Sequence, residues 1–371
     1  MSNLRLVLLL LALFSLPCAA QEAPPPEKKA PKASPKASAT DVEDALFRAR
    51  VALVEQLLDG DLDARGWRRL GDWHKGRRRY PEAAIHYLIA LRTNPKLRYA
   101  AYQLACTFSL WGQKDLALKW LERAVELGFW GYPVLEDDDD LSALRGDSRF
   151  KACLAKVRAA YPLEAKKNPG QRVVSWPKGL KKPAEGWPVL VFLHGWGDNA
   201  LSYRSLAKKA SELGLVGVAL PGPVALMQGS FRWSKTGYAS THSYVQKHLA
   251  GLAEKGLDTK RVYLLGFSQG AHHAAGLCAG YPEHYRGALV LSPGGEAPLP
   301  TKLLKPERLR RIVLTLGETE DSANKEEAAK LEALWTAAKW PLTKIVHKGG
   351  HAFPKDFDER FAKLVAWVRG G

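Results

Sequence analysis

The chain has 371 residues, 46% hydrophobic and 25% charged, which is enough for two globular domains and too apolar for a disordered chain. Lysine and arginine number 55 against 38 acidic residues, and the formal net charge of +17 suggests an anionic neighbour. The longest basic run, Arg77 to Arg79, lies in a helical pattern without interleaved aromatics, which argues against nucleic acid as the partner and for charge spread over a surface.

Arg5 precedes the unbroken apolar run Leu6 to Phe14, and Ala19 and Ala20 stand just before Gln21. This predicts a secretory signal peptide over 1–20 and an exported protein, periplasmic or secreted. The run is too short to span a membrane, and no later run is longer, so no transmembrane segment is expected. Cys18 raises a lipoprotein alternative, but Pro17 stands where such sites take a small residue. Residues 21–40 are rich in Pro, Lys and Ala without a large apolar side chain, and read as an extended tether.

From 41 to 165 the periodicity is helical. Trp67, Leu70, Gly71, Ala83, Tyr87, Ala90 and Pro95 fall at the offsets of the tetratricopeptide consensus, with His74 standing where Tyr is usual. A second frame 34 residues on carries Ala101, Leu104, Ala105, Phe108, Ala117, Leu121, Ala124 and Phe129. Flanking helices near 41–58 and 148–160 are expected to cap this short stack. The acidic run Glu136 to Asp140 lacks the spacing of a calcium loop and reads as a solvated connection. Beyond Cys18 the cysteines are Cys106, Cys153 and Cys278. Cys106 and Cys153 share the helical region and offer one disulfide pairing, while burial as small hydrophobes suits all three.

From 171 to 371 the pattern changes to short β-branched runs alternating with amphipathic helices. The runs are Val189–Leu193, Val216–Leu220, Val262–Leu265, Ala288–Leu291, Ile312–Leu316 and Lys344–His347. Such alternation predicts an α/β domain, a parallel sheet covered on both faces by helices.

Gly266-Phe267-Ser268-Gln269-Gly270 follows one of these strands and opens a helix with Ala271, Ala274 and Ala275. This is the G-x-S-x-G elbow in its required context, with Ser268 as candidate nucleophile. A serine hydroxyl needs a base, and His351 follows the last strand, before the helix from about 354 to 368. His347 belongs to the strand itself, and His272 and His273 lie along the elbow helix, where packing or polar contacts suit them better. An acid should follow Ile312–Leu316. Asn324 and Glu327 read as a capping box, leaving 317–321 as loop and both Glu320 and Asp321 as candidates. His194-Gly195-Trp196-Gly197 follows the first central strand, so the backbone N–H groups of Trp196 and Gln269 are candidates for an oxyanion hole. His194 is then structural rather than a metal ligand, because no metal-ligand partners stand at suitable spacing.

The motifs LHGWGDN, GFSQGA and GGHAFP, with the acid loop, resemble the phospholipase/carboxylesterase/thioesterase branch of α/β-hydrolases over about 187–369. The resemblance implies an α/β-hydrolase fold and a triad of Ser268, an acid and His351. It also implies a small ester or acyl substrate cleaved through an acyl-enzyme without a cofactor. The usual acid-loop spacing selects Glu320, whereas residue type selects Asp321. Residues 221–244 are expected to line the pocket, with Phe231, Trp233 and Tyr238 as a substrate subsite or as core. The N-terminal half resembles tetratricopeptide-repeat proteins, which implies a protein or peptide partner. Two other readings stay open: a serine peptidase or acyltransferase on the same triad, and a repeat-based binding module on a non-catalytic hydrolase scaffold.

Overall fold

The computed structural model describes residues 62–298 and 310–370. The signal sequence with Cys18, the tether and the helix expected near 41–58 lie outside the described residues.

The helical segment opens with two antiparallel pairs, α1 (Ala64–Lys75) with α2 (Tyr80–Thr93) and α3 (Arg98–Leu110) with α4 (Lys114–Glu126). The consensus positions explain the close approach. Gly71 faces the ring of Tyr87, whose atoms would lie 2.6 Å from any Cβ there, and the Tyr87 hydroxyl donates to Asp72 Oδ1 at 2.8 Å. Ala83, Ala90, Ala101, Ala105, Ala117 and Ala124 are all buried at the seams. Short α5 (Tyr132–Asp137) and long α6 (Ser148–Lys167) complete the segment. The acidic run is not simply solvated. Asp138 accepts from the Tyr102 hydroxyl at 2.6 Å, and Asp140 pairs with Lys75 at 2.6 Å, so these carboxylates tie α1 and α3 to the loop. Cys106, Cys153 and Cys278 are free and buried.

The second half is built on a seven-stranded sheet. The strands are β1 (Val173–Ser175), β2 (Trp187–Leu193), β3 (Val216–Leu220), β6 (Leu257–Ser268), β7 (Tyr285–Pro293), β8 (Arg311–Gly317) and β9 (Leu342–His347), in the order β1-β3-β2-β6-β7-β8-β9. All neighbours are parallel except the short edge strand β1, which runs antiparallel to β3 and was not expected. Two further strands, β4 (Val224–Met227) and β5 (Ser230–Arg232), form a separate hairpin that the sequence reading also missed.

β2 is buried on both faces, as its unbroken apolar run requires. On one face Val189, Val191 and Leu193 pack with residues of α8 (Ala239–Ala253), α9 (Gln269–Gly280) and α10 (Ser322–Ala337). On the other, Leu190 and Phe192 pack with α7 (Arg204–Glu212) and α11 (Phe357–Arg369). The order reverses between β3 and β6 on either side of β2, so loops at the carboxyl ends of β2 and β6 diverge and leave a crevice.

The helical segment packs on the β4–β5 hairpin. Trp130 clusters with Ala225 and Phe231, flanked by Tyr161 and Met227, and the Tyr161 hydroxyl donates to the Ala225 carbonyl at 2.8 Å. Arg232 and Lys235 both pair with Asp137, at 3.2 and 3.0 Å. Among the described residues no helix is long and apolar enough to cross a membrane.

Candidate active site

Ser268 ends β6 and precedes α9 with φ 54° and ψ −123°, a backbone conformation that costs a non-glycine residue about 1–3 kcal/mol. The turn closes only because its flanking residues lack side chains. A Cβ at Gly266 would overlap the Gly270 carbonyl, and one at Gly270 would overlap the Leu193 carbonyl. These contacts push the Ser268 side chain out of the sheet edge, where its Oγ lies 2.8 Å from His351 Nε2.

The register of β8 and β9 pairs Gly317 with His347, so the loops after both strands leave the sheet side by side. The β8 loop supplies Glu320 and the β9 loop His351. His351 Nδ1 stands 3.0 and 3.1 Å from the two Glu320 oxygens. A carboxylate only accepts, so Nδ1 carries the proton and Nε2 is left to accept from the Ser268 hydroxyl. Glu320 is buried, 5% exposed, and it also accepts from Asn324 Nδ2 at 3.2 Å.

Asp321 takes another position. It is the N-cap of α10, its Oδ1 accepting from the Asn324 N–H at 2.8 Å, and Asn324 Nδ2 donates to Oδ2 at 2.9 Å. The expected capping box at Asn324 and Glu327 is therefore corrected: α10 begins three residues earlier, and Asp321 does the capping. Glu327 instead pairs with buried His272 at 2.5 Å and accepts from the Gly295 N–H at 3.1 Å.

Trp196 and Gln269 flank the same serine. A Cβ at Gly195 would lie 3.2 Å from Ser268 Cβ, so the β2 loop touches the nucleophile through a glycine. The next N–H, that of Trp196, has no acceptor among the described residues. Gln269 is the first residue of α9, where an amide has no intrahelical acceptor. Its side chain is occupied, Oε1 accepting from the Trp233 N–H at 2.9 Å. His194 is wholly buried and holds the loop from within. Nδ1 donates to the Gly195 carbonyl at 2.6 Å and Nε2 accepts from the Gly222 N–H at 2.7 Å. Burial holds its pKa below the usual imidazole range.

The expected subsite of Phe231 and Trp233 is corrected by packing. Trp233 is wholly buried and its indole N–H donates to the His194 carbonyl at 2.8 Å, so it braces the loop and the elbow. Phe231, 4% exposed, is covered by Trp130 of the helical segment. Tyr238 is half-buried, its hydroxyl 2.8 Å from His272 Nε2. His272 and His273 are packed inside α9, with His273 Nε2 donating to the Ser234 carbonyl at 2.9 Å, and His347 lies in β9, as expected of a strand residue. The bracing pair His194–Trp233 had no recognisable motif, because its hydrogen bond spans 39 residues of chain.

A carboxylesterase from Bacillus cereus is 19% identical and covers 56% of this chain and 98% of its own, with a TM-score of 0.44. A carboxylesterase from Mesorhizobium loti is 20% identical over 50% and 90%, with a TM-score of 0.40. An uncharacterised Bacillus cereus protein is 16% identical over 80% and 96%, with a TM-score of 0.41. No curated protein matches the chain. Residues 222–362, from the turn before β4 to the middle of α11, match the sequence model of the phospholipase/carboxylesterase family. Residues 222–362 are accordingly a phospholipase/carboxylesterase-family region within the α/β half, which a helical segment over 64–167 precedes.

Proposed function

We propose that the protein is an exported serine esterase that cleaves carboxyl esters or thioesters through an acyl-Ser268 intermediate. One observation carries this reading: the unbroken hydrogen-bond line from Ser268 Oγ through His351 to buried Glu320, at a strained elbow. Ser268 Oγ attacks the acyl carbonyl while its proton passes to His351 Nε2. The tetrahedral oxyanion takes hydrogen bonds from the Trp196 and Gln269 amides. It collapses, and the departing alcohol or thiol leaves with the proton from His351. Water then attacks the acyl-serine, its proton passing to His351; the second tetrahedral intermediate collapses to the free acid as His351 returns that proton to Ser268 Oγ. Glu320 keeps the imidazole in the right tautomer and balances the charge it gains. Export rests on the pattern of residues 1–20.

A fluorophosphonate probe on the mature chain tests the nucleophile. Labelling is expected on the wild type and absent from Ser268→Ala, and an unlabelled wild type would overturn the reading. Short aryl esters should turn over where peptide substrates do not.

A further inference from the structure

Beside the oxyanion loop lies an open cleft of about 810 Å³ between the helical segment and the β4–β5 hairpin. One wall is hydrolase: Trp196, Asp198 and Ser230. The other is helical: Arg65 and Arg68 of α1, Lys96 just before α3, and Arg98 at its start. Four cations thus face a single lining carboxylate, Asp198, whose Oδ1 already accepts from the Ser202 hydroxyl at 2.6 Å.

These cations are not all engaged. Arg68 is paired with Asp72 and lies over the Tyr99 ring, and Arg98 reaches Gln228 Oε1 at 3.4 Å. Arg65 and Lys96 have no side-chain partner among the described residues. The cleft adjoins the β2 loop that touches the nucleophile. Trp196 follows Gly195, where a Cβ would lie 3.2 Å from Ser268 Cβ, and Trp196 is 52% exposed and lines the cleft. Nothing in acyl transfer itself requires a basic wall contributed by a separate helical segment. A substrate whose far end is an anion does.

We infer that this cleft is a substrate subsite that receives an anionic end, a carboxylate or a group of like charge, on an ester whose carbonyl sits at Ser268. Arg65 and Lys96 bind the anion, and Trp196 supports the chain between it and the ester. The helical segment is then half of the substrate site. This rests on the esterase reading for the position of the reacting carbonyl, while the binding itself does not depend on turnover.

Two matched ester pairs test it on the full mature chain. The first places the charge on the acyl limb, the p-nitrophenyl monoester of adipic acid against p-nitrophenyl hexanoate. The second places it on the alcohol limb, 4-(acetoxymethyl)benzoate against its carboxamide. The wild type is expected to favour the carboxylate member of one pair by about tenfold in kcat/KM. In Arg65→Gln/Lys96→Gln that ratio falls by about tenfold, and it shrinks in high salt, because part of an open cleft's charge is screened. Binding of the intact esters to Ser268→Ala, by calorimetry, reads the same preference without catalysis. A ratio near one in both pairs, or one that the double variant leaves unchanged, overturns the subsite. If Ser268→Ala binds the anionic ester selectively and the wild type neither hydrolyses nor takes the fluorophosphonate, the esterase reading fails and the subsite stands.

Discussion

Across the single peptide bond between Glu320 and Asp321, two carboxylates are committed to different work. Glu320 is buried beneath the imidazole of His351, and Asp321 is exposed and holds the first turn of α10. Glu320→Gln is expected to lower kcat by about a thousandfold or more, because the amide no longer enforces the required tautomer. Asp321→Ala should leave kcat near wild type and cost about 1 kcal/mol of stability, the worth of an N-cap. Steady-state kinetics and thermal melts of both variants check this, and equal losses of kcat would refute the division. The residues around Ser268 are legible in sequence because the elbow is a local device: glycines, a strand before and a helix after, all within a dozen positions. Glu320 and Asp321 are not separable that way. Which one faces His351 depends on where α10 starts, and Asn324 with Glu327 imitates a cap three residues too late.

The β4–β5 hairpin is the element that couples the two halves. Its outer side carries Ala225 and Phe231 against Trp130, and its inner side is bonded to the loop after β2. The Gly197 N–H donates to the Phe231 carbonyl at 2.9 Å, and the Phe231 N–H to the Asp198 carbonyl at 3.0 Å. Trp130→Ala, at a site far from the elbow in sequence, is expected to destabilise the protein by about 3–5 kcal/mol. It should also lower kcat, since the loop bearing Trp196 loses the backing of its support. A melt with unchanged kcat would show that the hairpin holds its place without the helical segment. The parallel strands could be read from β-branched runs, but neither the hairpin nor edge strand β1 could. Short strands of three or four residues give too little periodicity, and Phe231 and Trp233 look like pocket aromatics until the helical segment is seen to cover one and the core to enclose the other.

At the scale of the molecule, buried imidazoles set the response to acid. Burial, helped by the nearby ring of His272, pushes His273 from 6.5 down to about 3, and burial lowers His194 as well. The folded chain therefore holds these rings neutral while the unfolded chain protonates them. The contribution of His273 to stability is complete above about 6.5 and is lost as the pH falls toward about 3, and that of His194 is lost in the same direction. Thermal melts at descending pH should show a falling midpoint over that window, with a shallower slope in His273→Asn; identical slopes would exclude this source. At Ser268 the backbone is held at φ 54° and ψ −123°. The surrounding fold holds a conformation that serine resists and glycine adopts freely, so the native state carries a local frustration kept for reactivity. Ser268→Gly is expected to abolish turnover and to raise the melting midpoint at the same time, by an amount equivalent to about 1 kcal/mol or more. A lower midpoint in that variant would mean that the serine stabilises its own turn. An inactive chain more robust than its parent would mark this position as one where selection for reactivity and selection for durability pull in opposite directions.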